Sequence, residues 1–247
     1  MEKKKKVEVK NLSKSFGNLK VLDDISFDVT EGEFLCVVGP TGCGKTTFLN
    51  SLTRLYEPSS GKILINGEPV DLKKHNVSYI FQEKSTMEWL NVEENVGFGL
   101  ELRGIKGEEK KQAVDEMIHL VGLDEYRKYY PNEISSSMLQ RVVIARAFAT
   151  RPELLLMDEP YGQLDIELRF KLEDELIKLW KRTETTVIFI THNIEEAVYM
   201  SEDILVLTNK PTKIKERVIN DLPRPRSVVD KDFIKMRNKV TDLIRWW

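Results

Sequence analysis

Eight consecutive residues, Gly39-Pro40-Thr41-Gly42-Cys43-Gly44-Lys45-Thr46, restrict this chain more than any other stretch. They follow the apolar run Phe34-Leu35-Cys36-Val37-Val38, which reads as a buried strand, and they lead into a helical pattern from about Lys45 to Leu55. A G-x-x-x-x-G-K-[ST] spacing between strand and helix is the pattern of a phosphate cradle. Glycines let the backbone curl so that successive N–H groups turn inward, and the helix N-terminus adds positive potential. Lys45 can reach the β- and γ-phosphates of a nucleotide, and the Thr46 hydroxyl can ligate Mg²⁺. Binding of ATP or GTP follows, with residues 39–46 and the adjoining Thr47 as contacts.

A second apolar run, Leu154-Leu155-Leu156-Met157, ends in Asp158-Glu159. Asp158 at such a strand end is placed for the metal. Glu159, one step beyond, can orient or deprotonate an attacking water, because phosphoryl transfer needs positioning and charge neutralisation more than covalent chemistry. Val187–Ile190 and Ile204–Leu207 supply further central strands, and Lys62–Gly67 is a strand running into a turn. Between Gln82 and Pro152 the pattern turns helical, with Ala113, Val114, Met117, Ile118 and Val121 on one face. Near the end, Phe233, Met236, Val240 and Leu243 recur at helical spacing. The alternation specifies an α/β protein interrupted by a helical insertion.

Composition narrows the partners. In 247 residues, 38 Lys plus Arg stand against 40 Asp plus Glu, for a net charge of -2. That balance lacks the basic surplus of a dedicated nucleic-acid binder, and no nucleic-acid partner is expected. No apolar run approaches the ~20 residues needed to cross a bilayer. The basic start, Met1 to Lys6, reads as a solvated leader rather than a lipid-binding arm, and no apolar segment of signal-peptide length follows it. Cys36 and Cys43 make no disulfide framework, which points to a reducing, cytosolic setting.

These motifs, in this order, resemble the ATP-binding cassette (ABC) ATPases over roughly residues 7 to 226. The resemblance implies a P-loop NTPase core of ABC-ATPase type in residues 1–226. It also implies an inserted helical subdomain at about 83–152, an N-terminal antiparallel β subdomain and a helical tail at 227–247. It adds further site residues. Phe16 matches the aromatic that stacks on adenine, where the family more often has Tyr. Gln82, in Tyr79-Ile80-Phe81-Gln82-Glu83, matches the glutamine that senses Mg²⁺ and links core to helical subdomain. Asp165 matches an aspartate that communicates across a dimer, and His192, in Thr191-His192-Asn193, the histidine that contacts the γ-phosphate. The implied machinery is Glu159, His192 and Gln82 for catalysis, and Thr46, Gln82 and Asp158 around Mg²⁺.

One motif departs from the family. Where the signature usually reads Leu-Ser-Gly-Gly-Gln or Leu-Ser-Gly-Gly-Met, this chain has Ile134-Ser135-Ser136-Ser137-Met138, and Gln140-Arg141-Val142 and Ile144-Ala145-Arg146-Ala147 fix the register. In the family this segment closes on the γ-phosphate held by the other subunit of a head-to-tail dimer. A serine Cβ adds bulk and restricts dihedrals, whereas Ser135 keeps its hydroxyl and the helix N-terminus survives. The expectation is intact nucleotide binding through Ser135, Ser136 and Ser137, with weakened closure and hydrolysis.

A cassette on its own chain resembles the importer arrangement. The stretches Glu88–Val96, Leu100–Gly104, Leu207–Ile214 and Leu222–Arg226 resemble importers of the nitrate, sulfonate and taurine group. The resemblance implies a homodimer on closure, separate transmembrane permease subunits and an extracytoplasmic solute-binding protein. It places the chain peripherally, on the cytoplasmic face of the cell membrane. Met87, Trp89 and Leu90 are candidates for the groove that receives the permease, with Trp89 either an interface anchor or core of the helical subdomain. Trp246 and Trp247 are either a contact or a helix end. Two rivals stand beside this reading. One is a soluble ABC protein of DNA repair or translation, which usually carries two cassettes or a long coiled coil. The other is a regulatory sensor that binds ATP with little turnover.

Overall fold

The chain enters on two long strands. β1 (Lys5–Phe16) and β2 (Leu19–Thr30) pair antiparallel from Lys5↔Thr30 to Phe16↔Leu19. A computed structural model describes residues 4–83, 85–162 and 166–244, so Asp165, Trp246 and Trp247 lie outside the described residues. β3 (Phe34–Val38) is buried at every position, the pattern of a strand covered on both faces. Then come α1 (Lys45–Leu52), β4 (Ser60–Ile65) and the short β5 (Glu68–Pro69). Asn66-Gly67 joins β4 to β5 with both φ angles positive (53° and 80°), the backbone that an Asn-Gly hairpin turn supplies at low cost.

The next segment contains β6 (Val77–Ile80), α2 (Val92–Leu102), α3 (Gly107–Leu120), α4 (Ser136–Ala149), β7 (Leu154–Asp158) and α5 (Ile166–Thr183). The chain closes with β8 (Thr186–Thr191), α6 (Ile194–Met200), β9 (Asp203–Leu207), β10 (Ile214–Ile219) and α7 (Lys231–Ile244).

Backbone proximity divides the chain into two compact units, Met1–His75 with Thr186–Trp247, and Asn76–Thr185. The first holds an antiparallel sheet ordered β2-β1-β4-β5 and a set of strands ordered β10-β9-β3-β8. β3 runs parallel to both β8 and β9, with Val38 opposite Thr191 on one side and Val206 on the other. α7 buries Phe233 and Val240 in this unit. The second unit pairs β6 parallel to β7 and packs α2 on α3 and α4. Gly97 and Gly99 permit that approach: a Cβ on Gly97 would stand 2.6 Å from Lys110 Cε, and one on Gly99 2.8 Å from Thr150 Cγ2. The unit spans more than the 83–152 insertion, because it includes β6, β7 and α5.

Two sequence expectations change. α1 ends at Leu52, not near Leu55, since Thr53 caps it and Arg54 takes a positive φ of 58°. Nor is the basic start wholly a solvated leader. Lys5 and Lys6 begin β1; Lys6 is 5% exposed, its ammonium is 3.2 Å from Glu31, and its carbonyl accepts the N–H of Asn66. Backbone pairing recruits these lysines where charge alone suggested solvent, and the long aliphatic stem tolerates it.

Candidate nucleotide site

β3 delivers the chain into the glycine loop at residue 39. Gly42 (φ 75°) and Gly44 (φ 115°) hold backbone that side-chain-bearing residues rarely adopt. Gly39 needs space instead, for a Cβ there would lie 3.0 Å from Leu207 Cβ and 3.1 Å from Cys43 Sγ. Gly44 is the N-cap of α1, which has no side-chain cap and no acidic residue in its first turn. The first N–H groups of α1 therefore keep both their dipole and their capacity for an anion.

Lys45 is 6% exposed and donates from Nζ to the carbonyls of Gly39 (3.1 Å) and Pro40 (3.3 Å), so its ammonium is held against the loop. Thr41, Gly42 and Thr46 are exposed, Pro40 and Thr47 half-buried, and Cys43 buried. Burial raises the Cys43 thiol above its ordinary range, with Lys45 opposing the rise, and burial raises Cys36 further. Both remain free thiols.

His192 leaves β8 one residue after Thr191, which pairs with Val38, so the imidazole and the glycine loop share one end of adjacent parallel strands. The turn is braced from behind. Thr191 Oγ1 donates to Glu196 (2.6 Å) and accepts from Asn193 N–H (2.9 Å), and the Asn193 side chain caps α6. His192 itself is exposed. Phe16, at the end of β1, is 44% exposed and so is not core. Its ring stands edge-on to Tyr56 at 5.4 Å, with Lys14 Nζ 4.9 Å from its centroid.

In the second unit, parallel pairing of Ile80 with Met157 brings Gln82, beyond β6, to the same strand end as Asp158 and Glu159. Gln82 is exposed and Asp158 buried. Glu159 takes a positive φ of 45°, which costs on the order of 1–3 kcal/mol for such a residue and fits a carboxylate fixed at a functional turn. Ser135, Ser136 and Ser137 sit on a different element of this unit. Ser135 is the N-cap of α4 and accepts the Met138 N–H at 3.4 Å. Ser136 and Ser137 open the helix, and neither has a positive φ. The expected dihedral restriction of serine is therefore absent; only the added bulk remains from that argument.

The loop after Gln82 is anchored twice. Arg146 on α4 donates to the Ser85 carbonyl and to Ser85 Oγ, both at 2.7 Å, and its desolvated guanidinium is held below its usual pKa. Asn95 on α2, fully buried, accepts the Met87 N–H and donates to the carbonyls of Met87, Leu90 and Asn91. Asn91 and Glu94 complete a capping box that starts α2. Trp89, between these anchors, is 75% exposed, which excludes the core alternative for it. Met87 and Leu90 are half-buried.

Sequence reasoning missed Arg146 and Asn95 as supports. Both lie inside quoted motifs, but the hydrogen bonds that give them a task connect residues 61 positions and up to eight positions apart respectively.

The donors assigned to a metal, Thr46, Gln82 and Asp158, are all oxygen ligands, as Mg²⁺ requires. Among the described residues no cluster of three or more His, Cys, Asp or Glu could cage a metal alone.

Known proteins match this arrangement. A family model for ABC transporters matches residues 22–162. An uncharacterized ABC transporter ATP-binding protein of Methanocaldococcus jannaschii is 43% identical over 98% of this chain and 92% of its own length. The aliphatic sulfonates import ATP-binding protein of Bacillus cereus is 42% identical over 94% of this chain and 91% of its own. Among solved structures, the dimeric post-hydrolysis state of an ATP-binding cassette with ADP and Pi superposes with a TM-score of 0.76. It is 28% identical and covers 88% of this chain and all of that one. The glycine cradle, the acidic strand end and these likenesses agree: the chain belongs to the ABC transporter family and is an ATPase.

Proposed function

We propose that this chain powers a solute importer from the cytoplasmic face of the cell membrane, and that the solute is of the nitrate, sulfonate and taurine class. Two copies close on two ATP molecules. The backbone amides of residues 39–46 and the Lys45 ammonium hold the phosphates of each, Phe16 stacks on the adenine, and Ser135–Ser137 of the other copy complete the contact, with Asp165 communicating between copies. Residues 1–226 do this work; 83–152 transmit it to separate permease subunits, which an extracytoplasmic solute-binding protein supplies, and 227–247 form a helical tail. Thr46, Gln82 and Asp158 would hold Mg²⁺, which neutralises charge on the phosphates when bound. Glu159 orients and deprotonates the attacking water, and His192 steadies the γ-phosphate. Tighter binding of ATP to the closed form drives closure, and hydrolysis resets it. The bulk of Ser136 and Ser137 slows closure and turnover without abolishing either.

The observation that carries the transport reading is the Met87–Leu90 loop. An exposed tryptophan on a loop fixed by a fully buried asparagine suits an interface anchor. No described helix is long and apolar enough to cross a membrane, so a membrane task needs such a contact. Affinity purification of the tagged chain from its own cells tests this. Polytopic membrane subunits should co-purify with the wild type and be lost with Trp89→Ala. Retention by a folded, ATP-binding Trp89→Ala chain would refute the docking assignment.

A further inference from the structure

The segment Leu207–Ile214, which the sequence offered only as a mark of subgroup, grips the phosphate loop at both ends. Its first residue lies against Gly39: Leu207 Cβ and carbonyl oxygen stand 3.0 and 3.3 Å from where a Gly39 Cβ would be. Thr212 lies at the other end. It is fully buried, its N–H donates to Val21 O (2.8 Å), and its carbonyl accepts the N–H of Asp23 (2.9 Å). Those bonds seat it against Leu22 on β2. Its hydroxyl then donates to the carbonyl of Cys43, inside the phosphate loop. Val21, Leu22 and Thr212 together form the wall against Gly44, at 2.7, 3.5 and 3.7 Å from a Cβ built there. Lys213, next in line, pairs with Asp23 at 3.2 Å; Lys20 first, and Lys213 after it, hold that carboxyl below its usual pKa.

We infer that Thr212 is a positioning residue for nucleotide binding, acting through the Cys43–Gly44 peptide. A trans peptide is planar, with C=O and N–H on opposite sides. A donor that fixes the Cys43 carbonyl toward Thr212 therefore fixes the Gly44 N–H on the other side, and that amide belongs to the set that cradles phosphate. Gly44, at φ 115°, has no Cβ to restrain the peptide, so the restraint comes from outside the loop. The β9–β10 connection thus sets the shape of a site to which its side chains need not bind. This inference rests on reading residues 39–46 as the nucleotide cradle.

Calorimetric titration with MgADP tests it on the full chain. Thr212→Val keeps the shape and removes the donor; affinity should fall about tenfold, equivalent to 1.4 kcal/mol. Thr212→Ser keeps the donor and should bind within about twofold of wild type, on the same scale. A bond that served folding alone would lower the melting temperature of Thr212→Val and leave its MgADP affinity untouched, and that result overturns the inference. The wild type gives a second measurement that needs no variant. Hydrogen exchange across residues 208–214 should slow when MgADP binds, and exchange unchanged there while residues 39–46 become protected also overturns it. A wild-type chain that fails to bind MgADP refutes the cradle itself, a different outcome from a wild type and a valine variant that bind equally.

Discussion

Three glycines of one loop separate the two reasons a position can demand glycine, and alanine at each makes the separation measurable. Gly42 has a positive φ with nothing within 4 Å of a built Cβ, so its alanine variant meets conformational strain alone. That strain is on the order of 1–2 kcal/mol. Gly39 has ordinary backbone but a Cβ would press on Leu207 at 3.0 Å and Cys43 Sγ at 3.1 Å, an overpacking cost of about 1–3 kcal/mol. Gly44 combines both: φ 115°, beyond the left-handed helical well, and a Cβ 2.7 Å from Val21 Cγ1. Adding the two terms gives about 2–5 kcal/mol. In a chain of this size 1 kcal/mol moves the melting temperature by roughly 2–4 °C. Scanning calorimetry of nucleotide-free protein should then show losses of roughly 2–8 °C for Gly42→Ala and roughly 4–20 °C for Gly44→Ala, with Gly39→Ala between them. Nucleotide must be absent, since ligand binding would add its own stabilisation to each variant. A Gly42→Ala chain that melts at or below Gly44→Ala would refute the reasoning, because it would mean that Val21 gives way freely and space at Gly44 decides nothing.

Replacing both signature serines, Ser136→Gly with Ser137→Gly, should raise steady-state ATP turnover; an unchanged rate would show that their bulk does not hinder closure. For scale, losing a whole preorganised donor costs ~10²–10³ in rate, and a partly misplaced one less. Arg146→Lys keeps a charge but replaces the rigid two-nitrogen fork on Ser85 O and Oγ with a single, shorter-reaching ammonium, so the loop bearing Gln82 loosens. Turnover should fall about tenfold, short of the ~10²-fold that a 1 Å misplacement can cost, while the KM for ATP stays within about twofold. A rise in KM at constant kcat would show that Arg146 serves binding instead.

The legible part of this molecule is the part where chemistry requires a residue type. A phosphate loop needs glycine, lysine and a hydroxyl at fixed spacing, and a metal-facing strand end needs carboxylates, so Gly39–Thr46 and Asp158-Glu159 could be read without any coordinates. β3, β7, β8 and β9 were legible for a related reason: strands buried on both faces have to be continuously apolar. β1 and β10 were not. Their Lys, Glu and Arg residues obscure the pattern, and pairing partners up to 58 residues away, as for Val7↔Ile65, decide their structure. The supports of the site escaped for the same physical cause. Asn95, Arg146 and Thr212 act by hydrogen bonds to backbone carbonyls, and a carbonyl has no side-chain identity for a sequence pattern to register. The φ of 45° at Glu159 was equally invisible, because glutamate gives no advance sign of left-handed backbone. The serine signature shows the converse error. Glycine reads there as a conformational requirement, yet Ser136 and Ser137 simply begin a helix, where serine carries no such strain. A glycine lost from a motif therefore carries weight only where φ is positive or a Cβ has no room. By that measure Gly44 is the least replaceable glycine of the phosphate loop, while Ser136 and Ser137 open α4 without cost to the fold.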